Sequence, residues 1–204
     1  MVRKTKEDAR ITRSRILDAA MELFERQGVS RTSLNDIAHH AGVTRGAIYW
    51  HFKNKVELFT AMIERLACPL LLEREKRARL MQENPLEFLD TITREFIGRL
   101  EHDPNFFRMF EIFWHKCEYV GEMEAIRHKH LKEGESHIDI IQRSFAIARE
   151  KGQIGADLTP HQAAIGLVAL IDGLIFNWTK NRALFSLETY APQIFNAFLR
   201  GIRT

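Results

Sequence analysis

Apolar positions along the 204-residue chain recur at helical spacing, and the alternation that marks strands is nearly absent. Ile16, Ala20, Leu23 and Phe24 make one stripe, which predicts a helix over 8–27 that Gly28 stops. A short second helix over 34–41 takes Ser33 as its cap, with Asp36 three residues on. It turns Leu34, Ile37, Ala38 and Ala41 inward and ends at Gly42. Thr44 caps a third over 45–51. Asn54, with Glu57 three residues later, caps a fourth that kinks at Pro69. Asn84-Pro85 opens a fifth, Asp103-Pro104 a sixth and Thr159-Pro160 an eighth, since proline at the first helical position sacrifices no hydrogen bond. Between them a seventh runs from 122 to Lys151 and stops at Gly152. Ser186 caps a ninth, bent at Pro192. The prediction is an all-α chain of nine helices: a three-helix head over 1–54 and a second helical domain over 55–204.

The head raises a local puzzle. In "TRGAIYWHF", 44–52, Tyr49, Trp50 and His51 are neighbours, and three neighbours on a helix cannot all face one core. Gly46 also costs that helix about 1 kcal/mol relative to alanine. A helix-turn-helix resolves both oddities. The second helix then needs one inward face, here Val43, Ile48 and Phe52, and its other faces meet DNA. Gly46 allows close backbone approach, and Thr44 with the free N–H groups at the helix start suits a phosphate. Arg45 has the fork for guanine O6 and N7, Ala47 for a thymine methyl, and Tyr49 and His51 for phosphates or base edges. Lys55 adds charge beside the backbone. With Ser33 and Trp50 these make the expected DNA-facing set.

Charge supports that polarity. Residues 1–60 hold eleven Lys or Arg against seven Asp or Glu, whereas the rest of the chain is almost balanced at 19 against 20. The two cysteines, Cys68 and Cys117, are too few for a disulfide framework. The charged N-terminus has no leader-like apolar core, and no run of about 18 apolar residues appears. The expected setting is cytoplasmic, without a membrane partner. His115, Cys117, Glu118, His128 and His130 show no familiar zinc spacing. No nucleophile elbow or phosphate loop is present, so neither a metal, a cofactor nor an enzyme is expected.

The run "TSLNDIAHHAGVTRGAIYWHFKNKVELF", preceded by "ILDAAMELFERQGV", resembles the DNA-binding head of TetR-type transcriptional repressors over residues 10–60. "TRGAIYWHFKNK" together with "HKCEYVGEM" (115–123) is similar to the AcrR/TtgR-like subgroup that represses multidrug efflux pumps. The resemblance implies a homodimer on a palindromic operator, a small-molecule cavity among the fourth to eighth helices, and loss of DNA binding when it fills.

The C-terminal helices add their own signals. "NFFRMFEIFWHKCE" carries Phe106, Phe110, Phe113, Trp114 and Cys117 on one stripe, and rings beside Glu111 suit planar, hydrophobic or cationic aromatic guests. "AAIGLVALIDGLIFNW" is apolar all round. Ile165, Val168, Asp172, Ile175 and Phe176 share one face, and Leu167, Leu170, Ile171, Leu174 and Trp178 the opposite one. The expected ligand contacts are Leu66, Phe96, Phe110, Glu111, Trp114, Val168, Asp172, Ile175 and Phe176. Gly166, Leu170, Gly173 and Trp178 of the eighth helix, with Phe195 and Phe198 of the ninth, are expected at the subunit interface. The alternatives are a DNA-binding protein of this fold without an inducer and a small-molecule-binding protein without a DNA role.

Overall fold

The computed structural model describes the backbone of residues 6–67 and 74–203, and their side chains except at 66–67, 74 and 127–136. The described chain is all-helical. Its helices are α1 (Lys6–Gln27), α2 (Leu34–His40), α3 (Arg45–His51), α4 (Lys55–Ala67), α5 (Arg74–Glu83), α6 (Pro85–His102), α7 (Pro104–His115), α8 (Glu124–Glu150), α9 (Pro160–Lys180) and α10 (Leu187–Ile202). A 3-10 turn, Gly121–Met123, precedes α8. The nine-helix expectation is therefore corrected. A separate helix begins at Arg74 where the fourth was expected to continue, and residues 117–120, in no regular element, lead into the short turn before α8. The expected kink at Pro69 lies outside the described residues, as do the side chains of Leu66, His128 and His130.

The chain forms two compact units, Met1–Leu70 with Asn105–His130, and Leu71–Pro104 with Leu131–Thr204. The first has a core of α1–α4 closed by α7. Ile16, Leu17, Phe24, Ile37, Ile48, Phe52 and Phe59 are buried in it together with Ile112 and Phe113. Phe24 and Phe59 pack 5.8 Å apart, and Phe59 stacks on Phe113 at 6.5 Å. Polar ties reinforce this. Arg108 pairs with Glu25 at 2.5 Å, Lys116 Nζ donates to the Glu25 carbonyl at 2.7 Å, and the Val29 N–H donates to the Lys116 carbonyl at 3.0 Å.

The second unit buries Leu86, Leu89, Phe145, Ala163, Leu167 and Phe195 from α6, α8, α9 and α10. On α9 the buried residues are Ala163, Ala164, Leu167, Ile175 and Trp178, and Ile165, Ala169, Asp172 and Phe176 are exposed. This corrects the expected division of the helix, which set Trp178 and Ile175 on opposite faces. The inward stripe follows 164, 167, 175 and 178, the three-to-four spacing of one helix face. By length and composition α9 is apolar enough to cross a bilayer, but that inward stripe is the pattern of a core helix, and Asp172 interrupts the outward one.

Candidate functional site

The turn between α2 and α3 is set by local chemistry. Gly42 has φ +64°, a conformation that side-chain-bearing residues seldom adopt. The Val43 N–H closes the turn on the Ala38 carbonyl at 2.9 Å, and Arg15 of α1 clamps it by donating to the Ala41 carbonyl at 2.7 Å. His40 holds the same end of α2 through Glu22 at 2.7 Å. Thr44 caps α3, its hydroxyl oxygen accepting from the Ala47 N–H at 3.2 Å, which leaves the hydroxyl proton to donate outward.

The seven-residue α3 buries Ile48, and Phe52 behind it is also buried. Arg45, Gly46, Tyr49 and Trp50 lie on the outer side, while Ala47 and His51 are half-buried. Trp50 is 74% exposed, the most exposed of the large apolar side chains among the described residues. The Arg45 guanidinium lies over the Tyr49 ring at 5.7 Å, and the Trp50 and His51 rings meet edge-on at 4.6 Å. A Cβ at Gly46 would meet nothing closer than the Thr44 hydroxyl oxygen at 4.0 Å, so nothing inside the chain calls for glycine there.

Two residues of the expected DNA-facing set have partners within the chain. Ser33 is exposed, but both of its donors are engaged. Its hydroxyl and its N–H donate to the Asp36 carboxylate at 2.7 and 2.9 Å, and these bonds hold that carboxyl below its usual pKa. Lys55 is buried. Its ammonium donates to the carbonyls of Val29 at 3.1 Å and Thr32 at 3.2 Å, and it pairs with Glu122 at 3.2 Å. The basic pattern of "FKNK" gave no warning of this, because the partners come from residues 26 and 23 positions before and 67 after.

The expected ligand residues divide between the two units. In the first, α7 buries Phe106, Met109, Ile112 and Phe113. Phe110 and Glu111 are half-buried and Trp114 is 51% exposed. The stripe differs from the expected one because Met109 and Ile112 occupy the inward spacing and α7 ends at His115, before Cys117. Phe110 and Phe113 lie 5.9 and 5.8 Å from the Trp114 ring. In the second unit, Phe96 and Val168 are half-buried and Ile175 is buried. Phe176 turns outward with Lys180 Nζ 3.9 Å over its ring. Asp172 is exposed and forms no ion pair among the described residues. Its apolar surroundings push its carboxyl pKa above the usual value. An open depression of about 380 Å³ lined by Asn84, Leu86, Glu87, Gly152, Gln153 and Arg203 involves none of these residues.

The expected interface residues are also partly corrected. Trp178 and Phe195 are fully buried inside the chain, so their side chains are not presented to a partner. Gly166 faces Phe198 of the same chain: a Cβ there would stand 3.3 Å from the ring. Leu170 is half-buried, and Gly173 has open space where a Cβ would go.

Residues 84–203 match the C-terminal region of MAATS-type transcriptional repressors. The HTH-type transcriptional regulator AcrR of Shigella flexneri is 39% identical over 197 residues, 96% of this chain and 86% of AcrR. NalD, the secondary repressor of the MexAB-OprM multidrug efflux pump in Pseudomonas aeruginosa, superposes with a TM-score of 0.85 at 33% identity, covering 96% of this chain and 97% of NalD. The SmeT–triclosan complex superposes with a TM-score of 0.82 at 27% identity, covering 95% of this chain and 92% of that one. Residues 16–62 match the tetR family of bacterial regulatory proteins, and the chain, with its N-terminal helix-turn-helix, belongs to that family.

Proposed function

We propose that this protein is a homodimeric, cytoplasmic repressor of a multidrug efflux pump operon, released from a palindromic operator when a hydrophobic or cationic aromatic compound binds. One observation carries the DNA half of this reading: α3 spends its outer side on Arg45, Gly46, Tyr49 and a 74%-exposed Trp50, groups with no structural work inside the head. Arg45 reads guanine, Ala47 meets a thymine methyl, and Thr44, Tyr49, Trp50 and His51 contact the backbone or base edges.

The exposed Ile165, Ala169 and Phe176 of α9 give a second copy an apolar face to cover, with Leu170 and Gly173 beside it. The effector half rests on the relatives, one of which is a triclosan complex. Phe110 and Trp114 of α7 are its proposed aromatic contacts, and Asp172 is a proposed partner for cationic groups. An effector releases DNA by binding a conformation with mismatched heads better than the DNA-competent one. Successive major grooves lie about 34–36 Å apart, so a small change in head separation misaligns both half-sites.

Mobility shifts with the DNA flanking the gene, titrated with triclosan, test this. Retention of the operator at every effector concentration would favour the inducer-independent reading. Absence of salt-dependent duplex binding would leave only a small-molecule-binding role.

A further inference from the structure

Lys55 departs furthest from the role its sequence context suggests. Its side chain is 10% exposed, and its ammonium has three donors. The carbonyls of Val29 and Thr32 accept from it, and one carboxylate oxygen of Glu122 pairs with it at 3.2 Å. The first two belong to the loop immediately ahead of Ser33, the cap of α2. The third belongs to the 3-10 turn that follows α7. The same loop is held again from that side, since the Val29 N–H donates to the carbonyl of Lys116 at 3.0 Å. Thr32, 1% exposed, closes the loop on itself by donating from its hydroxyl to the Gly28 carbonyl at 2.7 Å.

We infer that Lys55 is a positioning residue for DNA binding: its ammonium fixes the 29–32 loop that sets α2, and ties that loop to Glu122 in the segment after α7. A buried ammonium is stable only while its acceptors stay in place. Withdrawing Glu122 removes the one full charge among them and weakens the hold on the loop. The head therefore responds to the position of residues 116–122 through a contact other than the length of α4. Glu122 is 53% exposed, so the pair breaks without exposing a core.

The inference rests on the DNA-binding reading, and its test has one arm that does not. Hydrogen exchange without DNA compares wild type with Lys55→Met and Glu122→Gln. Peptides over 28–41 are expected to exchange at least fivefold faster in both variants, with α9 unchanged. Unchanged exchange at 28–41 in Glu122→Gln overturns the tie, and this variant decides the matter if Lys55→Met fails to fold.

The second arm uses a duplex selected by the wild type from a randomised pool, at a temperature far below melting, where a loss of global stability alone leaves affinity untouched. Lys55→Met is expected to lose tenfold or more in affinity with the salt slope unchanged, and Glu122→Gln a few-fold, with Glu122→Asp restoring it. A slope shallower by about 0.9 per protomer in Lys55→Met would make Lys55 a phosphate contact and overturn the inference. If the wild type selects no duplex, the DNA reading falls, and the exchange arm still decides whether Lys55 positions the loop.

Discussion

The guanidinium of Arg45 lies over the ring of Tyr49, 5.7 Å from its centre, on the outer side of a helix that buries only Ile48. The stack orders two side chains that the core does not hold. Arg45→Ala and Tyr49→Ala are therefore expected to weaken operator binding while melting like wild type. A bidentate arginine–guanine contact is worth about 1–3 kcal/mol of base discrimination. Gel shifts measure it, and operator affinity unchanged in both variants would place another helix in the groove.

Gly46 separates folding from recognition. A Cβ there meets nothing nearer than 4.0 Å inside the chain, and alanine gains about 1 kcal/mol of helix propensity. Gly46→Ala is expected to raise the midpoint of chemical denaturation and lower operator affinity. An increase in both would show that DNA does not approach the backbone at this position.

The two glycines of α9 are expected to behave oppositely. At Gly166 an added methyl sits 3.3 Å from Phe198. Gly166→Ala should lose about 1 kcal/mol, overpacking outweighing propensity. At Gly173 there is open space, so Gly173→Arg should keep the fold of the protomer while breaking the dimer. Sedimentation velocity with a melting curve decides it: a wild type that is monomeric at micromolar concentration removes the two-fold operator as well.

His102 of α6 pairs with Glu188 of α10 at 2.8 Å, and the hydrogen bond, reinforced by the carboxylate's charge, raises the imidazole pKa. A pKa raised by folding gives a contribution that is complete below the ordinary histidine value of about 6.5 and is lost as pH rises through the raised value. Both side chains are exposed, so the effect is small. The stability gap between wild type and His102→Ala should be wider at pH 5.5 than at pH 9. An equal gap would mean that the pair does not form in solution.

Asp172 and Trp114 test the effector. Asp172 is exposed among apolar neighbours and forms no ion pair among the described residues, which leaves its carboxylate open to a cationic group of a ligand. Asp172→Asn is expected to weaken a cationic dye more than a neutral aromatic, and Trp114→Ala to weaken both. Calorimetry on each variant measures this, and equal losses in the Asp172 variant would remove the carboxylate from ligand recognition.

The sequence alone determined what depends on near neighbours. Ser33, Thr44, Thr159 and Ser186 each cap the helix expected of them, because capping is decided within three residues. The helix-turn-helix was legible for the same reason. Its glycine turn, its buried positions at Ile48 and Phe52 and its surplus of outward aromatics all fall within 42–52. Tertiary structure alone decided which face of an all-apolar helix turns inward. Nothing local distinguishes Trp178 from Leu170 on α9, and their burial is set by residues distant in the sequence. It also decided Lys55. A lysine in a basic stretch reads as a charge beside the DNA backbone, and only packing brings Val29, Thr32 and Glu122 around its ammonium, where they offset the cost of taking the charge out of water.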